Sequence, residues 1–246
     1  MADALQAILW DVDGTLADTE LDGHLPAFNQ AFAEAGLPWH WGPATYLDLL
    51  AVTGGKERIL AWWQRVDPAG AAAPGTAERI RALHARKTAL YTARVAAGRV
   101  TLRPGVARLI AEARAAGVRQ AIATTTSPEN VHALLVATLG PEAPGWFEVI
   151  GAGDVVPAKK PVPDIYLWVL ERLRLPAAAC VAIEDSAAGA AAALAAGLST
   201  LVVRCAGGRD EPLPDAPTAG WAGRLLGDRL AGLPPLADLA ELRASR

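Results

Sequence analysis

Near its N-terminus the chain reads Ala7-Ile8-Leu9-Trp10-Asp11-Val12-Asp13-Gly14-Thr15-Leu16. An apolar run that ends in two carboxylates and a glycine indicates a buried strand followed by a turn. In an extended chain the side chains of residues i and i+2 point to the same side, so we expect Asp11 and Asp13 to lie together. At the carboxyl edge of an α/β sheet, such a pair can hold a hard cation or act as nucleophile and acid/base. Taken alone, the pair is equally compatible with acids that only cap a turn.

The length and composition of the chain limit its fold class and its partners. Of the 246 residues, 52% are hydrophobic and 20% are charged, which is typical of a globular protein. This length allows one large domain, or a main domain with a second one inserted. The net charge of −3 argues against a nucleic-acid partner. The longest apolar tract, residues 187–198, is too short to span a bilayer, so we expect no membrane role.

Cysteine usage and the N-terminus bear on the compartment. Cys180 and Cys205 lie in apolar, strand-like surroundings without metal-ligand spacing, which favours reduced thiols in the core of a cytosolic protein. The first residues lack the positive charge and apolar core of a signal peptide. We therefore expect a cytoplasmic monomer, or a protein of the plastid stroma if a transit peptide has been removed.

After Leu16 the apolar spacing changes from that of a strand to that of helices. Leu25, Phe28 and Phe32 recur at helical spacing, and further helical segments follow as far as Val95. The pattern predicts an all-helical insertion at residues 18–99. The remaining residues, 1–17 and 100–246, would then form the main domain.

From Val100 onward, strands and helices alternate. Predicted strands end near Thr124, Ile150, Ile183 and Val203, and helices separate them. This alternation predicts an α/β fold, a doubly wound parallel sheet with helices on both faces. After Gly207 we expect an irregular Pro-rich tail that ends in a short helix, Leu236 to Leu242.

Polar clusters lie close to four of the predicted strands. They are Asp11/Asp13, Thr124 to Ser127, Lys159/Lys160 and Glu184/Asp185. Because parallel strands place their carboxyl ends at one edge of a sheet, we expect these clusters to converge. Carboxylates, hydroxyls and a lysine are the groups that phosphoryl transfer needs.

These clusters resemble the four motifs of the haloacid-dehalogenase-like (HAD) phosphotransferases. The matching residues are Asp11-Val12-Asp13-Gly14-Thr15-Leu16, Thr124, Lys160-Pro161 and Glu184-Asp185-Ser186. The resemblance implies a Rossmann-like HAD core, and the helical insertion resembles the C1 cap of that superfamily. Further stretches resemble the CbbY branch, phosphatases associated with Rubisco: Thr53-Gly54-Gly55-Lys56-Glu57-Arg58, Thr124-Thr125-Thr126-Ser127 with Asn130, and Leu102-Arg103-Pro104-Gly105.

The resemblance also implies roles for the motif residues. Asp11 would be the nucleophile that forms an aspartyl-phosphate, and Asp13 would protonate the leaving oxygen and later activate water. Thr124 and Lys160 would bind the oxygens of the transferred phosphoryl group. Mg²⁺ would be bound by the Asp11 carboxylate, the Asp13 backbone carbonyl and Asp185, with Glu184 close by.

A second set of residues is expected to bind the substrate, which the resemblance suggests is a sugar bisphosphate, xylulose 1,5-bisphosphate. Several have ordinary alternatives, since Ser127 can cap a helix and Lys56-Glu57-Arg58 can be a charged helix start. The predicted substrate-binding residues are Glu20, His24, Thr53, Gly54, Gly55, Lys56, Glu57, Arg58, His84, Lys87, Thr125, Thr126, Ser127 and Asn130.

Other functions remain open at this point. A sugar phosphomutase of the β-phosphoglucomutase kind would carry the same four motifs. A dehalogenase is disfavoured because that chemistry needs neither Asp13 nor Mg²⁺. A non-catalytic sugar-phosphate sensor is disfavoured by the complete pair of acids.

Overall fold

One parallel β-sheet runs through the described part of the chain, which in this computed structural model comprises residues 5–203, 225–230 and 233–239. Its strands are β1 (Ala7–Trp10), β2 (Arg119–Ala123), β3 (Val149–Gly151), β4 (Cys180–Glu184), β5 (Ser199–Val203) and β6 (Leu225–Leu230). The strand order is β3-β2-β1-β4-β5-β6, and neighbouring strands pair in parallel. The predicted parallel α/β sheet is confirmed.

Strand β1 lies at the centre of this sheet because its residues are apolar on both sides. All its side chains are fully buried, as expected for a strand covered on two faces. Ile8 pairs with Gln120 of β2 on one side and with Val181 of β4 on the other. The indole N–H of Trp10 donates a hydrogen bond to the side-chain oxygen of Gln120 at 2.5 Å. The carboxylates that follow β1 therefore lie at the middle of the sheet edge.

Helices cover both faces of the sheet and also form the insertion between β1 and β2. The α-helices of the described residues are α1 (Leu25–Glu34), α2 (Pro43–Leu49), α3 (Gly55–Val66), α4 (Pro68–Ala71), α5 (Thr76–Ala96), α6 (Val106–Ala115), α7 (Pro128–Leu139), α8 (Asp164–Leu173) and α9 (Ala187–Ala195). Ile8 and Trp10 pack on the face that α6 and α7 cover, whereas Ala7 and Leu9 pack on the face of α8 and α9. This arrangement confirms the doubly wound fold. Within the described residues, no helix combines the length and the apolarity that crossing a bilayer requires.

Helices α1 to α5 occupy the predicted helical insertion between β1 and β2. They share an aromatic cluster of their own, which contains Phe28, Phe32, Trp41 and Trp63. The two connections to the sheet lie side by side, since Ala17 forms an antiparallel bridge with Leu102. The insertion therefore leaves and rejoins the sheet at one place.

The segment after β5 differs from its prediction. An irregular tail was expected up to residue 236, but Leu225–Leu230 forms β6 at the edge of the sheet. Gly227 and Asp228 are poor strand formers, so the local sequence carries little strand signal and the pairing with β5 decides the conformation. Residues 236–239 of the predicted terminal helix are helical. Residues 240–242 and Cys205 lie outside the described residues, whereas Cys180 is a buried thiol outside any disulfide, as predicted.

The hydrogen bond between Trp10 and Gln120 yields a stability prediction. Gln120→Leu leaves a buried indole N–H without a partner, and we expect the free energy of unfolding to fall by about 1–3 kcal/mol. Combining it with Trp10→Phe removes both partners, so the double variant should lose less than the sum of the single losses, with a coupling of about 0.5–3 kcal/mol. Urea denaturation of the four proteins measures this.

The exposed Gln30 provides a control, because Gln30→Leu should change stability by less than about 0.5 kcal/mol. Strict additivity at residues 10 and 120 would contradict the expectation.

Candidate active site

The four predicted clusters meet at the carboxyl edge of the sheet. Asp11 continues the line of β1, since its backbone N–H donates to the carbonyl of Ile183 at 3.0 Å. Thr124 continues β2 in the same way and donates to the carbonyl of Gly151 at 2.9 Å. Asp185 follows β4 directly. Residues that are far apart in sequence thus converge because their strands are parallel neighbours.

Lys160 joins the clusters through its buried ammonium group. Its Nζ lies 2.8 Å from Oδ1 of Asp11 and 2.6 Å from Oε1 of Glu184, and it donates to the carbonyl of Ala123 at 2.9 Å. Burial by itself would lower the pKa of Lys160, but the two carboxylates raise it well above its ordinary value. Lys160 is therefore a permanent positive charge at the centre of the site.

Three carboxylates surround a space that fits a divalent cation. One oxygen each from Asp11, Glu184 and Asp185 lies within 4.8 Å of the others. Burial, opposed in part by the charge of Lys160, raises the pKa of Asp11 to about 7. Burial and the charge of Asp11 raise the pKa of Asp185 well above its ordinary value. Because a cation would relieve this repulsion and oxygen is the ligand that Mg²⁺ prefers, the residues present suit a magnesium ion.

The side chain of Asp13 forms its hydrogen bonds with residues outside that cluster. Its Oδ1 accepts hydrogen bonds from the hydroxyl of Thr19 at 2.7 Å and from Nε2 of His24 at 2.9 Å. Lys87 in turn lies 2.7 Å from Nδ1 of His24. Burial alone would raise the pKa of Asp13, but His24 and Thr19 lower it far below its ordinary value. The two acids of the opening motif thus have opposite environments, although they are two residues apart.

A cavity of about 270 Å³ lies between the sheet edge and the helical insertion. Most of the predicted site residues line it. They are Asp11, Asp13, Glu20, His24, Thr53, Gly54, Gly55, Arg58, His84, Lys87, Thr124, Thr125, Thr126, Asn130, Lys160 and Asp185. Carboxylates and Lys160 form the floor, and the residues of the insertion form the opposite wall.

Four predicted site residues do not line this cavity. Lys56 instead forms an ion pair with Asp154. Ser127 caps α7 by accepting a hydrogen bond from the backbone of Asn130, which is the structural alternative noted above. The carboxylate of Glu57 packs over Gly54, where any side chain would overlap it. Glu184 lies beneath Lys160.

Comparison of the sequence with known protein families identifies the family of this chain. The model of the haloacid dehalogenase-like hydrolases matches residues 5–197. The chain belongs to this family. Its enzyme class is that of the phosphoric monoester hydrolases, as the motifs predicted.

Several relatives are CbbY proteins, which confirms the predicted branch of the family. CbbY of Cupriavidus necator is 56% identical over 198 residues, which cover 80% of this chain and 78% of that protein. CbbY of Rhodobacter capsulatus is 50% identical over 198 residues, or 80% of this chain and 85% of that protein. A crystal structure of an Asp-to-Asn variant of CbbY from Rhodobacter sphaeroides, in complex with xylulose 1,5-bisphosphate, superimposes with a TM-score of 0.82. It is 46% identical and covers 96% of this chain and 99% of that chain.

Some residues of this HAD site could not be recognised from the sequence. The buried Tyr46 accepts a hydrogen bond from Arg58 at 3.1 Å and donates one to Glu20, so it links two predicted substrate-binding residues. Arg58 also donates to the carbonyl of Leu49 at 3.2 Å. The sequence could not reveal this role of Tyr46, because a hydroxyl inside an apolar stripe leaves no periodic signal.

His84 occupies the wall of the cavity as a neutral imidazole. Its ring lies against Gly55, where a side chain would overlap it. Burial, together with the charges of Lys87 and Lys56, lowers the pKa of His84 to about 4. At neutral pH the ring can therefore accept or donate one hydrogen bond to a ligand without adding charge.

The lowered pKa of His84 yields a pH prediction. The folded state takes up this proton only near pH 4, whereas the ring in an unfolded chain takes it up below about pH 6.5. Protonation of the unfolded chain should therefore lower the free energy of unfolding as the pH falls from about 6.5 towards 4. We expect His84→Gln to reduce the loss of stability between about pH 7 and 5 by on the order of 1 kcal/mol.

Urea denaturation at several pH values, with and without the substitution, measures the effect. His40→Gln, at an exposed histidine, is the matched control and should leave the pH profile of the parent unchanged. Identical profiles for all three proteins would show that His84 is not held neutral.

Proposed function

We propose that this enzyme is a Mg²⁺-dependent phosphatase that hydrolyses xylulose 1,5-bisphosphate through an aspartyl-phosphate at Asp11. The observation that carries the proposal is the joint placement of Asp11, Lys160 and Asp185 on the floor of a cavity that the helical insertion covers. The CbbY structure that contains this bisphosphate supports the choice of substrate. Action as a cytoplasmic monomer stays a prediction.

We further propose that the chain consists of two domains. Residues 1–17 and 100–246 would form the HAD core, and residues 18–99 a cap that opens and closes over the site. The separate aromatic cluster of α1 to α5 supports this division. So do the paired connections, where the backbone N–H of Arg103 donates to the carbonyl of Leu16 at 2.9 Å. The two connecting segments, which lie next to each other, can bend together as a hinge.

The magnesium ion would be bound by the carboxylates of Asp11 and Asp185 and by the backbone carbonyl of Asp13, with Glu184 beside them. When bound, it would neutralise charge on the transferred phosphoryl group and keep Asp11 ionised. The proposed coordination by the Asp13 carbonyl suits the observed direction of its side chain, which leaves the carboxylate for proton transfer.

In the first step, an oxygen of Asp11 attacks phosphorus, the bond from phosphorus to the sugar oxygen breaks, and that oxygen takes a proton from Asp13. In the second step, water attacks phosphorus and gives a proton to Asp13, the bond from phosphorus to the Asp11 oxygen breaks, and inorganic phosphate leaves. Thr124 and Lys160 bind the phosphoryl oxygens throughout. The low pKa of Asp13 favours the ionised form that the second step needs. An anionic phosphate brought beside it would raise that pKa by repulsion, as the first step requires.

The second phosphate group would bind at the far end of the cavity. Thr126 and Asn130 lie there, and the buried Asn130 donates to the hydroxyl of Thr126 at 3.0 Å. Hydroxyl and amide donors suit phosphate oxygens, and the neutral His84 would complete this end.

Turnover of the bisphosphate is the direct test. We expect the purified protein to release phosphate from xylulose 1,5-bisphosphate with Mg²⁺, and EDTA to abolish the release until Mg²⁺ is restored. Asp11→Asn removes the nucleophile and should lower kcat at least about a thousandfold while substrate binding persists. Phosphate release and calorimetric binding measure the two effects.

Asp238→Asn, at an exposed acid, is the matched control and should keep full activity. Turnover retained by Asp11→Asn would refute the aspartyl-phosphate. Interconversion of hexose monophosphates without net phosphate release would identify a mutase instead.

The ion pair between Lys56 and Asp154 allows a test of cap closure, because it joins α3 to the loop after β3. Lys159 also lies 2.7 Å from Asp154. If the pair holds the cap closed, Lys56→Met and Asp154→Asn should each raise KM for the bisphosphate by up to about fivefold, since exposed pairs contribute at most about 1 kcal/mol. Steady-state kinetics at low and high salt measure this.

The same variants test the predicted direct role of Lys56. If Lys56 binds the second phosphate, Lys56→Met should be far more damaging than Asp154→Asn. Lys56→Arg is the control and should retain the parent KM under the closure model. Equal KM values for all variants would show that the pair does not contribute to closure.

A further inference from the structure

Tyr166 reaches the active site from inside the protein. It lies on α8, its side chain is fully buried, and its hydroxyl donates a hydrogen bond to Oε1 of Glu184. The same oxygen accepts from Lys160 at 2.6 Å, and the ammonium group of Lys160 lies 5.1 Å from the centre of the tyrosine ring. Tyr166 lies outside the four motifs quoted from the sequence.

The two oxygens of Glu184 have different surroundings. Oε1 receives both donors, from Tyr166 and Lys160, whereas Oε2 is buried with no hydrogen-bond partner in the described structure. A buried carboxylate oxygen without a partner is costly unless a ligand satisfies it. Glu184 also belongs to the carboxylate group that could hold a metal ion. The unsatisfied oxygen is thus the one available to a cation or to a water bound to it.

The backbone at residue 189 keeps Oε2 in place. A side chain at Gly189 would overlap the carboxylate of Glu184, so the carboxylate packs directly on the first turn of α9. The carboxylate is therefore held by the hydroxyl of Tyr166 at Oε1 and by its close packing on the backbone of Gly189. A carboxylate without these constraints could rotate and turn either oxygen towards Lys160.

We propose that Tyr166 is a positioning residue for the divalent cation: its hydroxyl fixes Oε1 of Glu184 and leaves Oε2 for the cation or its bound water. The chemistry explains why a phenol suits this place. A neutral donor orients the carboxylate without adding a second positive charge that would repel the cation. Hydrogen bonds of this kind orient the groups around metal ions and strengthen binding.

This inference rests on the proposed magnesium site but not on the proposed substrate. Its test is therefore direct metal binding, measured calorimetrically with Mg²⁺ and by electron paramagnetic resonance with Mn²⁺, without substrate. A protein that binds Mg²⁺ as described yet does not hydrolyse xylulose 1,5-bisphosphate would refute the substrate and leave the role of Tyr166 intact.

Tyr166→Phe keeps the ring over Lys160 and removes only the hydroxyl. We expect the Kd for Mg²⁺ to rise about 10–100-fold. Ile165→Val removes one buried methylene group on the same helix and is the matched control for a purely structural effect. It should leave the Kd for Mg²⁺ unchanged. A double-mutant cycle tests whether Tyr166 acts through Glu184. Adding Tyr166→Phe to Glu184→Gln should then weaken Mg²⁺ binding no further than Glu184→Gln alone.

An unchanged Kd in Tyr166→Phe, or full additivity with Glu184→Gln, would overturn the proposal. If Tyr166→Phe does not fold, Gly189→Ala is the substitute, since its methyl group displaces the same carboxylate. It should weaken Mg²⁺ binding to a similar degree, and parent-like binding by this variant would equally overturn the proposal.

Discussion

The buried ammonium group of Lys160 is the interaction on which the site depends. It lies within hydrogen-bonding distance of Asp11 and Glu184, two carboxylates from different strands of the sheet. Without a positive charge between them, these acids would repel each other in a space from which water is largely excluded. The lysine therefore allows the carboxylates to be concentrated at the sheet edge, where a cation and a phosphoryl group can then be bound.

Asp11 and Asp13 have different surroundings because separate hydrogen-bond networks contact them. Asp11 faces Lys160 and the carboxylates, and burial raises its pKa to about 7. Asp13 faces Thr19 and His24, which lower its pKa. Acids whose environments move their pKa values apart are suited to different roles in one reaction. Only Val12 lies between the two acids, yet their side chains have different partners.

The helical insertion supplies the half of the site that the sheet lacks. His24 and Lys87 belong to it, yet both act on Asp13 at the sheet edge. The ring of His24 stacks on Tyr91 with 4.1 Å between centroids, which holds the imidazole in place. The surroundings of Asp13 therefore depend on residues of the insertion as well as on the sheet.

The sequence by itself determined the parallel sheet, the helical insertion and the convergence of four polar clusters, because hydrophobic periodicity and strand order are local or topological properties. Only the tertiary structure decided which side chains enter the cavity. Lys56 was expected in the cavity but forms an ion pair with Asp154. No role was predicted for Tyr166, which donates a hydrogen bond to Glu184. The edge strand Leu225–Leu230 was also missed. In each case the outcome depends on contacts between residues distant in sequence, and periodicity carries no information about such contacts.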